Sequence, residues 1–213
     1  ARAVHWRHAA ASLPLAGFTV AIIGAGLGGI CAAIRLREMG INFVVLEKNP
    51  NIGGTWWENT YPGCAVDTPN HFFSYSFAPS NHWTRHFSQR DEILAYIEAT
   101  ADRFGVRDAI RCGVEVTAAT YDEAASRWRL SLRTSGGDSE TLVCNTVITA
   151  VGQLNRPAMP PIAGLTDFPG PVFHTARWDA SVDLTGKQVA LIGTGASAMQ
   201  AGPSIAADVA QLP

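Results

Sequence analysis

The sequence predicts an α/β fold in which buried parallel strands alternate with helices, an antiparallel three-strand meander follows, and a second α/β unit begins near the end. Continuous apolar, β-branched runs at Phe18–Ile23 and Asn42–Leu46 are typical of strands buried on both faces of a parallel sheet. Glycine-rich turns, GAGLGG at Gly24–Gly29 and GTGASA at Gly193–Ala198, mark two strand-to-helix junctions. Between these turns, residues 113–144 contain three strand-like runs separated by turn residues.

The first unit is predicted to run strand, glycine turn, helix and strand. The helix is expected to extend from the turn to about Met39, because Gly40 can adopt the positive φ that ends a helix. The second strand ends on Glu47, so a complete βαβ unit fits into about 30 residues. Residues 49–90 are rich in Gly, Pro, Asn, Trp and Tyr, which predicts a long loop of the kind that usually carries function.

The middle of the chain predicts one helix and then the meander. Apolar residues at helical spacing predict a helix at about Arg90–Phe104. Strands are expected at Gly113–Tyr121, Arg127–Thr134 and Thr141–Cys144, with turn residues between them. A further buried strand is expected at Thr146–Ala150, which returns the chain to the parallel sheet.

Prolines indicate an extended linker after the first unit. The second unit is expected to begin with a strand at Lys187–Ile192 and a helix at Ser197–Ala207. We therefore divide the chain into four parts: an N-terminal arm at 1–17, a first domain at 18–156, a linker at 157–186 and the start of a second domain at 187–213.

Composition narrows the class of protein. The chain has 213 residues, of which 47% are hydrophobic and 16% charged, so it can bury a core. A net charge of −2 gives no reason to expect nucleic acid or an anionic membrane as a partner. No apolar run approaches the roughly 18 residues that span a bilayer. Scattered cysteines without CxxC spacing indicate reduced thiols and a cytoplasmic location, and His82 and His86 alone are a poor metal site.

The two glycine turns indicate two nucleotide sites. Glycines permit a tight turn and let the backbone approach a pyrophosphate at the positive end of a helix. Glu47, at the end of the second strand, can accept hydrogen bonds from ribose hydroxyls. A nucleotide-free turn is the alternative, and the complete βαβ unit argues against it. Two such sites suit a flavin enzyme that a nicotinamide cofactor reduces.

Two longer motifs carry a resemblance to a known family. The string FPGPVFHTARWD at Phe168–Asp179 resembles the fingerprint FxGxxxHxxxWD of type I Baeyer–Villiger monooxygenases. The string GGTWWENTYPGCAVD at Gly53–Asp67 is similar to a second motif of the same family. Within the family, VDTPNHFFSYSF at Val66–Phe77 looks most like the 4-hydroxyacetophenone monooxygenase branch. The resemblance implies a Rossmann-like FAD-binding domain followed by the start of a Rossmann-like NADP-binding domain.

The resemblance also implies roles for particular residues. Phe73 stands where many relatives have a tyrosine that contacts FAD. Asp67 is expected near the flavin, where it would orient a catalytic arginine that has no counterpart here, and His174 and Trp178 would support movement of the nucleotide domains. The implied FAD contacts are Gly24, Ala25, Gly26, Leu27, Gly28, Gly29, Glu47, Lys48, Gly54, Thr55, Trp56, Asp67, Phe73, Val116 and Gln153. The implied NADP contacts are Gly193, Thr194, Gly195, Ala196, Ser197, Ala198 and Gln200.

The activity that the resemblance implies is Baeyer–Villiger oxidation, in which one oxygen atom of O2 is inserted next to the carbonyl of an aryl or cyclic ketone. FAD and NADPH would be the cofactors. The chain lacks an initiating Met and ends soon after the second glycine turn, so we expect an N-terminal fragment that is inactive alone. Three alternatives stay open: an N- or S-oxygenating flavin monooxygenase, a flavoprotein reductase, which would need a redox cysteine pair, and a catalytically silent binding module.

Overall fold

The computed structural model describes residues 17–212, so nearly all of the predicted N-terminal arm lies outside the described residues. The described chain divides into two compact units. The first unit contains the residues up to Gly54 together with Ile97–Gly152, and the second contains Thr55–Tyr96 together with the residues from Gln153 onwards. The domain boundaries given above stay a prediction.

The first unit is built on a parallel sheet of four strands. Strand β1 (Thr19–Ile23) lies between β2 (Asn42–Glu47) and β7 (Thr146–Thr149), and β3 (Ile110–Cys112) pairs with the outer edge of β2. All three pairings are parallel. Helix α1 (Leu27–Glu38) connects β1 to β2 and buries its small and branched residues. The prediction of a parallel α/β sheet is therefore confirmed, and β3 is an additional strand.

The meander forms the second layer of this unit. Strands β4 (Val114–Asp122), β5 (Arg127–Thr134) and β6 (Ser139–Cys144) pair antiparallel in that order, as predicted. On β5, Leu130 and Leu132 are buried while their neighbours are exposed, because successive side chains of a strand point to opposite faces. The buried face of the meander packs against the parallel sheet through one core cluster, made of Ala21, Leu46, Val114, Leu130, Leu132 and Cys144.

The second unit has little regular structure. It contains a short helix α2 (Thr55–Glu58), the first part of α3 (Arg90–Arg103) and helix α4 (Ala196–Ile205). Single 3-10 turns at 165–167 and 175–177 interrupt the predicted linker. None of the helices within residues 17–212 is both long enough and apolar enough to cross a membrane.

The strand predicted at Lys187–Ile192 is wrong as a regular strand. Within the described residues, this segment makes only an isolated parallel bridge between Gln188 and Gln211. A strand needs a neighbouring ladder to satisfy its backbone groups, and the sequence pattern alone does not supply one. Helix α4 is present, with Pro203 inside it, although proline cannot donate to the carbonyl one turn earlier.

Candidate nucleotide-binding site

The first glycine turn lies at the carboxyl end of the parallel sheet. Gly24 has φ +101°, and its N–H donates to the carbonyl of Leu46 over 2.8 Å. A Cβ on Gly24 would lie 2.6 Å from the carbonyl oxygen of Ala150, just beyond β7. The turn thus sits between the ends of β2 and β7, on either side of β1, which is where open α/β sheets bind their ligands.

Helix α1 begins at this turn without a side-chain cap. Gly26 is the N-cap in extended conformation, and no side chain accepts a hydrogen bond from the first turn at the cap position. The first turn also carries no acidic residue. The N-terminus of such a helix presents backbone N–H groups and partial positive charge, which suits an anionic group.

The paired glycines of the second motif approach the first glycine turn itself. The N–H of Gly53 donates to the carbonyl of Ala25 over 3.0 Å. Gly54 has φ +55°, and a Cβ on it would lie 3.0 Å from the Cα of Gly26. Glycine is required here because two backbones meet with no room for side chains. The resemblance implies an FAD contact for Gly54, and the structure adds the contact between the two motifs.

Glu47 is buried at the end of β2, and both of its carboxylate oxygens accept hydrogen bonds from backbone N–H groups. One oxygen accepts from the N–H of Ala25 over 2.7 Å. The other accepts from the backbone N–H and the side-chain Nδ2 of Asn49, at 2.9 and 2.8 Å. Sequence reasoning missed Asn49. The carboxylate has further acceptor sites, so the predicted ribose contact is compatible with these bonds.

The aromatic part of the second motif lies in the second unit. Trp56 is buried in α2 and meets the ring of Phe73 edge-on, with 5.3 Å between the ring centroids. Thr55 and Asp67 are exposed, so both side chains are open to solvent in this unit.

Three other predicted FAD contacts do not all belong to the same unit. Lys48 and Val116 belong to the first unit, and Gln153 belongs to the second. Lys48 and Gln153 are exposed, whereas Val116 is partly buried against the core cluster of the meander.

The fingerprint segment is held by local hydrogen bonds and by one aromatic contact. The Nδ1 atom of His174 accepts from the N–H of Ala176 over 3.0 Å and caps the 3-10 turn Thr175–Arg177. The rings of Phe173 and Trp178 meet edge-on, with 5.1 Å between their centroids. The arrangement supports a structural role for His174.

Arg177 ties the fingerprint segment to other parts of the second unit, which sequence reasoning missed. Its guanidinium donates to the carbonyl of Asn155 over 3.3 Å and lies 3.7 Å from the carboxylate of Glu58 in α2. The Glu58 side chain is only 10% exposed, so this ion pair is partly shielded from water. A variable position inside a motif gives no sequence signal for such a contact.

The second glycine turn has open space around it. Gly193 has φ +126°, Gly195 is the N-cap of α4, and a Cβ on either glycine would meet nothing within 4 Å. Thr194 and Ala196 are exposed. Helix α4, like α1, begins without a side-chain cap and without an acidic first turn. Gln200 does not face this open space, because its amide is bonded to the loop around Tyr61.

The comparisons with known proteins agree with this geometry. A family model described as NAD(P)-binding Rossmann-like domain matches residues 22–90, and one described as L-lysine 6-monooxygenase/L-ornithine 5-monooxygenase matches residues 73–211. The second match covers more than half of the chain, so the chain belongs to the monooxygenase family of that model. A Baeyer–Villiger monooxygenase of Streptomyces coelicolor is 50% identical over 91% of this chain. The chain belongs to the Baeyer–Villiger monooxygenases.

Solved structures place this Baeyer–Villiger chain in the same group. The complex of OTEMO with FAD and NADP superposes with a TM-score of 0.82 at 34% identity, over 92% of this chain and 38% of that chain. Cyclohexanone monooxygenase with bound ε-caprolactone superposes with a TM-score of 0.81 at 36% identity, over 92% of this chain and 39% of that chain.

The chain spans about a third of the length of the curated Baeyer–Villiger relatives it matches. It covers 36% of the Streptomyces coelicolor protein and 36% of a Pseudomonas aeruginosa Baeyer–Villiger monooxygenase that is 43% identical over 91% of this chain. It covers 30% of an uncharacterized monooxygenase of Sinorhizobium fredii, which is 49% identical over 94% of this chain.

The cysteines and histidines of this Baeyer–Villiger chain form no separate reactive centre in the part described. All four cysteines are free, and Cys64 and Cys144 are buried. Burial raises the pKa of the Cys64 thiol, which keeps it protonated and unreactive at neutral pH. Residues 17–212 contain no group of three side chains that could hold a metal ion. The four free cysteines therefore give no support to the flavoprotein reductase alternative, which needs a redox cysteine pair.

Replacing Glu47 by glutamine is expected to destabilise the first unit by about 1.5–3 kcal/mol, the range for a hydrogen bond to a charged group. An amide offers one oxygen where the carboxylate offers two, so its NH2 would face either Ala25 N–H or the donors of Asn49. Chemical denaturation measures the loss.

Glu38→Gln is the matched control for Glu47→Gln, because Glu38 lies at the exposed end of α1 in an ion pair with Arg35. Exposed pairs of this kind contribute about 0–1 kcal/mol. Equal stability of the two variants would contradict the structural role of the Glu47 carboxylate.

Proposed function

We propose that the intact protein is an FAD- and NADPH-dependent Baeyer–Villiger monooxygenase. It inserts one oxygen atom of O2 next to the carbonyl of a ketone, aryl or cyclic, and produces an ester or lactone. The observation that carries the proposal is the order of three features: two glycine turns, each opening a helix without a side-chain cap, and the fingerprint segment between them. When bound, FAD supplies the oxygen chemistry and NADPH supplies the hydride.

The residues of the first turn fit the FAD nucleotide. Gly24, Gly26 and Gly54 leave backbone without side chains at the carboxyl end of the sheet, and α1 directs its N–H groups there. These residues, with Ala25, Leu27, Gly28 and Gly29, would hold the pyrophosphate, and Glu47 with Lys48 would hold the ribose side. The OTEMO structure, whose chain resembles this one, contains both FAD and NADP.

The flavin end of FAD would meet the second motif and the positions beside it. In this proposal Thr55 and Trp56 approach the flavin, and the ring of Phe73 packs edge-on against Trp56. Gln153 supplies an exposed side-chain amide. Val116 contributes apolar surface on the adenine side. Asp67 is an exposed carboxylate that would orient the catalytic arginine and the nicotinamide.

The second turn fits the pyrophosphate of NADPH. The open space at Gly193 and Gly195 leaves the backbone accessible, and Thr194, Ala196, Ser197 and Ala198 would add N–H groups at the start of α4. In the proposal, residues 18–156 form the FAD-binding domain, 157–186 the linker and 187–213 the start of the NADP-binding domain. NADPH in place of NADH rests on the relation to the OTEMO complex.

The fingerprint segment has a conformational role in this proposal. His174 holds the 3-10 turn, Trp178 packs on Phe173, and Arg177 pairs with Glu58 in the helix that carries Trp56. A shift of the linker would therefore move or break the ion pair between Arg177 and Glu58 of α2. We place the enzyme in the cytoplasm, because its four cysteines are free.

A flavin-dependent N-oxygenase is the second candidate. The match of residues 73–211 to the family model described as L-lysine 6-monooxygenase/L-ornithine 5-monooxygenase favours it. Trp178 and the second motif, with its Trp56 and Asp67, favour the Baeyer–Villiger reaction. The two candidates differ in substrate: a ketone carbonyl in one case, and a soft nitrogen or sulfur nucleophile in the other.

The test uses the full-length protein that contains this chain, purified and freed of excess cofactor. We expect a bound-flavin absorption spectrum, NADPH oxidation that an aryl methyl ketone stimulates, and an ester as product. An alkylamine and a thioether in place of the ketone are the controls. Oxygenation of these compounds without any ester would assign the N- or S-oxygenase, and a protein without flavin would exclude both candidates.

A further inference from the structure

We propose that Tyr61, Gly63 and Gln200 form a dock that holds helix α4 against the loop 61–65, and that Gln200 positions the second glycine turn instead of contacting NADPH. The inference rests on the proposed function, because the turn is taken to bind NADPH. All three residues belong to the second unit. Their contacts join two motifs, because Tyr61 and Gly63 belong to the second motif and Gln200 follows the second glycine turn.

The side-chain amide of Gln200 is engaged by the loop. Its Oε1 accepts from the hydroxyl of Tyr61 over 2.8 Å and from the N–H of Ala65 over 3.2 Å. Its Nε2 donates to the carbonyl of Ala65 over 2.9 Å. These bonds use both lone pairs of the oxygen and one of the two N–H groups. A nucleotide that contacted the amide oxygen or this N–H group would have to break them.

Tyr61 is a buried donor. The residue is only 7% exposed, and burial raises the pKa of its hydroxyl to about 12, so it stays protonated at neutral pH. The side chain of Ser197, which belongs to the second glycine turn, is close enough to oppose this rise in pKa. The tyrosine therefore contacts both the start of α4 and Gln200 on α4.

Gly63 brings the loop backbone onto the helix. It has φ +79°, and a Cβ on it would collide with the Oγ of Ser204 and lie 2.6 Å from the carbonyl oxygen of Gln200. The hydroxyl of Ser204 in turn donates to that carbonyl over 2.7 Å. Only glycine permits this close approach, so the YPG sequence is suited to docking on a helix.

The dock fixes the direction of α4. Gln200 and Ser204 lie one helical turn apart on the same face, and Ala196 begins the helix one turn before Gln200. Because a helix of this length is stiff, holding these two positions also orients the N–H groups at its start. A pyrophosphate bound there would depend on Tyr61, although Tyr61 belongs to the motif that the resemblance assigns to FAD.

Tyr61→Phe in the full-length holoenzyme tests this dependence, because it removes one hydrogen bond and keeps the ring. Anaerobic flavin reduction is measured against NADPH concentration. We expect the half-saturating NADPH concentration to rise about 2- to 10-fold, the factor that one net hydrogen bond supplies. The limiting reduction rate and FAD content should stay at the wild-type value. Tyr121→Phe, at an exposed tyrosine on β4, is the matched control.

Gln200→Leu and the double variant separate positioning from direct contact. If Gln200 acts through Tyr61, Gln200→Leu raises the half-saturating concentration and adding Tyr61→Phe raises it no further. Unchanged NADPH saturation in Tyr61→Phe, or additive effects in the double variant, would overturn the dock. Lower FAD content with unchanged NADPH saturation of the remaining holoenzyme would also overturn it, since that result indicates a purely structural role. Wild-type protein that holds no flavin would instead refute the proposed function.

Discussion

Replacing Gly29 by alanine is expected to prevent the first glycine turn from forming and to abolish FAD binding in the intact enzyme. A Cβ on Gly29 would overlap the carbonyl oxygen of Gly24. That oxygen is backbone, and Gly24 is itself fixed by its hydrogen bond to Leu46 and by its contact with Ala150. No side chain can rotate away to relieve the overlap. The free energy of unfolding should fall by about 3 kcal/mol or more, which is the upper end of the cost of overpacking a core.

Gly28→Ala is the matched control in the same helix. Gly28 is exposed, and a Cβ there would lie 3.9 Å from the Cβ of Ala150, an ordinary contact. Alanine in a helix is favoured over glycine by about 0.5–1 kcal/mol, so this variant should be as stable as the wild type or slightly more stable. Denaturation and flavin content measure both variants. Equal stability of Gly28→Ala and Gly29→Ala would contradict the packing of the turn.

The elements that could be predicted from sequence are those whose cause is local. Strands β1 and β2 lie inside the parallel sheet and each buries three residues, so their apolar runs are nearly unbroken. Strand β7 lies at the edge of the sheet with Thr146 and Thr149 exposed, so the full burial expected for it is wrong although the strand itself is present. Strand β3 was missed because it has only three residues and is partly exposed. It exists because Ile110–Cys112 aligns with the end of β2, which is a tertiary contact.

The strand expected at Lys187–Ile192 failed for the complementary reason. Its apolar pattern suits a buried strand, but a strand is completed by its neighbours, and in the described chain this segment forms a single β-bridge, between Gln188 and Gln211. A local sequence pattern therefore fails to predict a strand when the neighbouring strand that it needs lies elsewhere in the chain.

The candidate site divides in the same way. The need for glycine at Gly24 follows from a turn with positive φ, which the motif indicates. The partner of Gln200 could not be predicted, because Tyr61 lies 139 residues away in sequence. Its position in the helix suggested the nucleotide, and only the fold shows that its amide meets the loop.

Replacing Gly63 by alanine is expected to separate the loop 61–65 from helix α4. The Oγ of Ser204 could rotate away from a new Cβ, but the carbonyl oxygen of Gln200 could not move without shifting the helix. Two costs combine: about 1–2 kcal/mol for a side chain at φ +79°, and about 1–3 kcal/mol for the overlap. We expect lower stability in denaturation and a higher half-saturating NADPH concentration for the intact enzyme.

Gly186→Ala separates these two costs, because Gly186 has φ +67° in the same unit but a Cβ there would meet nothing within 4 Å. The Gly186→Ala variant should lose only the stability that a side chain at positive φ costs, and its half-saturating NADPH concentration should equal that of the wild type. Adding Ser204→Ala to Gly63→Ala removes the side-chain collision but leaves the Gln200 carbonyl, so the double variant should recover little. Full recovery would mean that the loop meets α4 only through the serine, and equal losses in the two glycine variants would mean that it is not packed there.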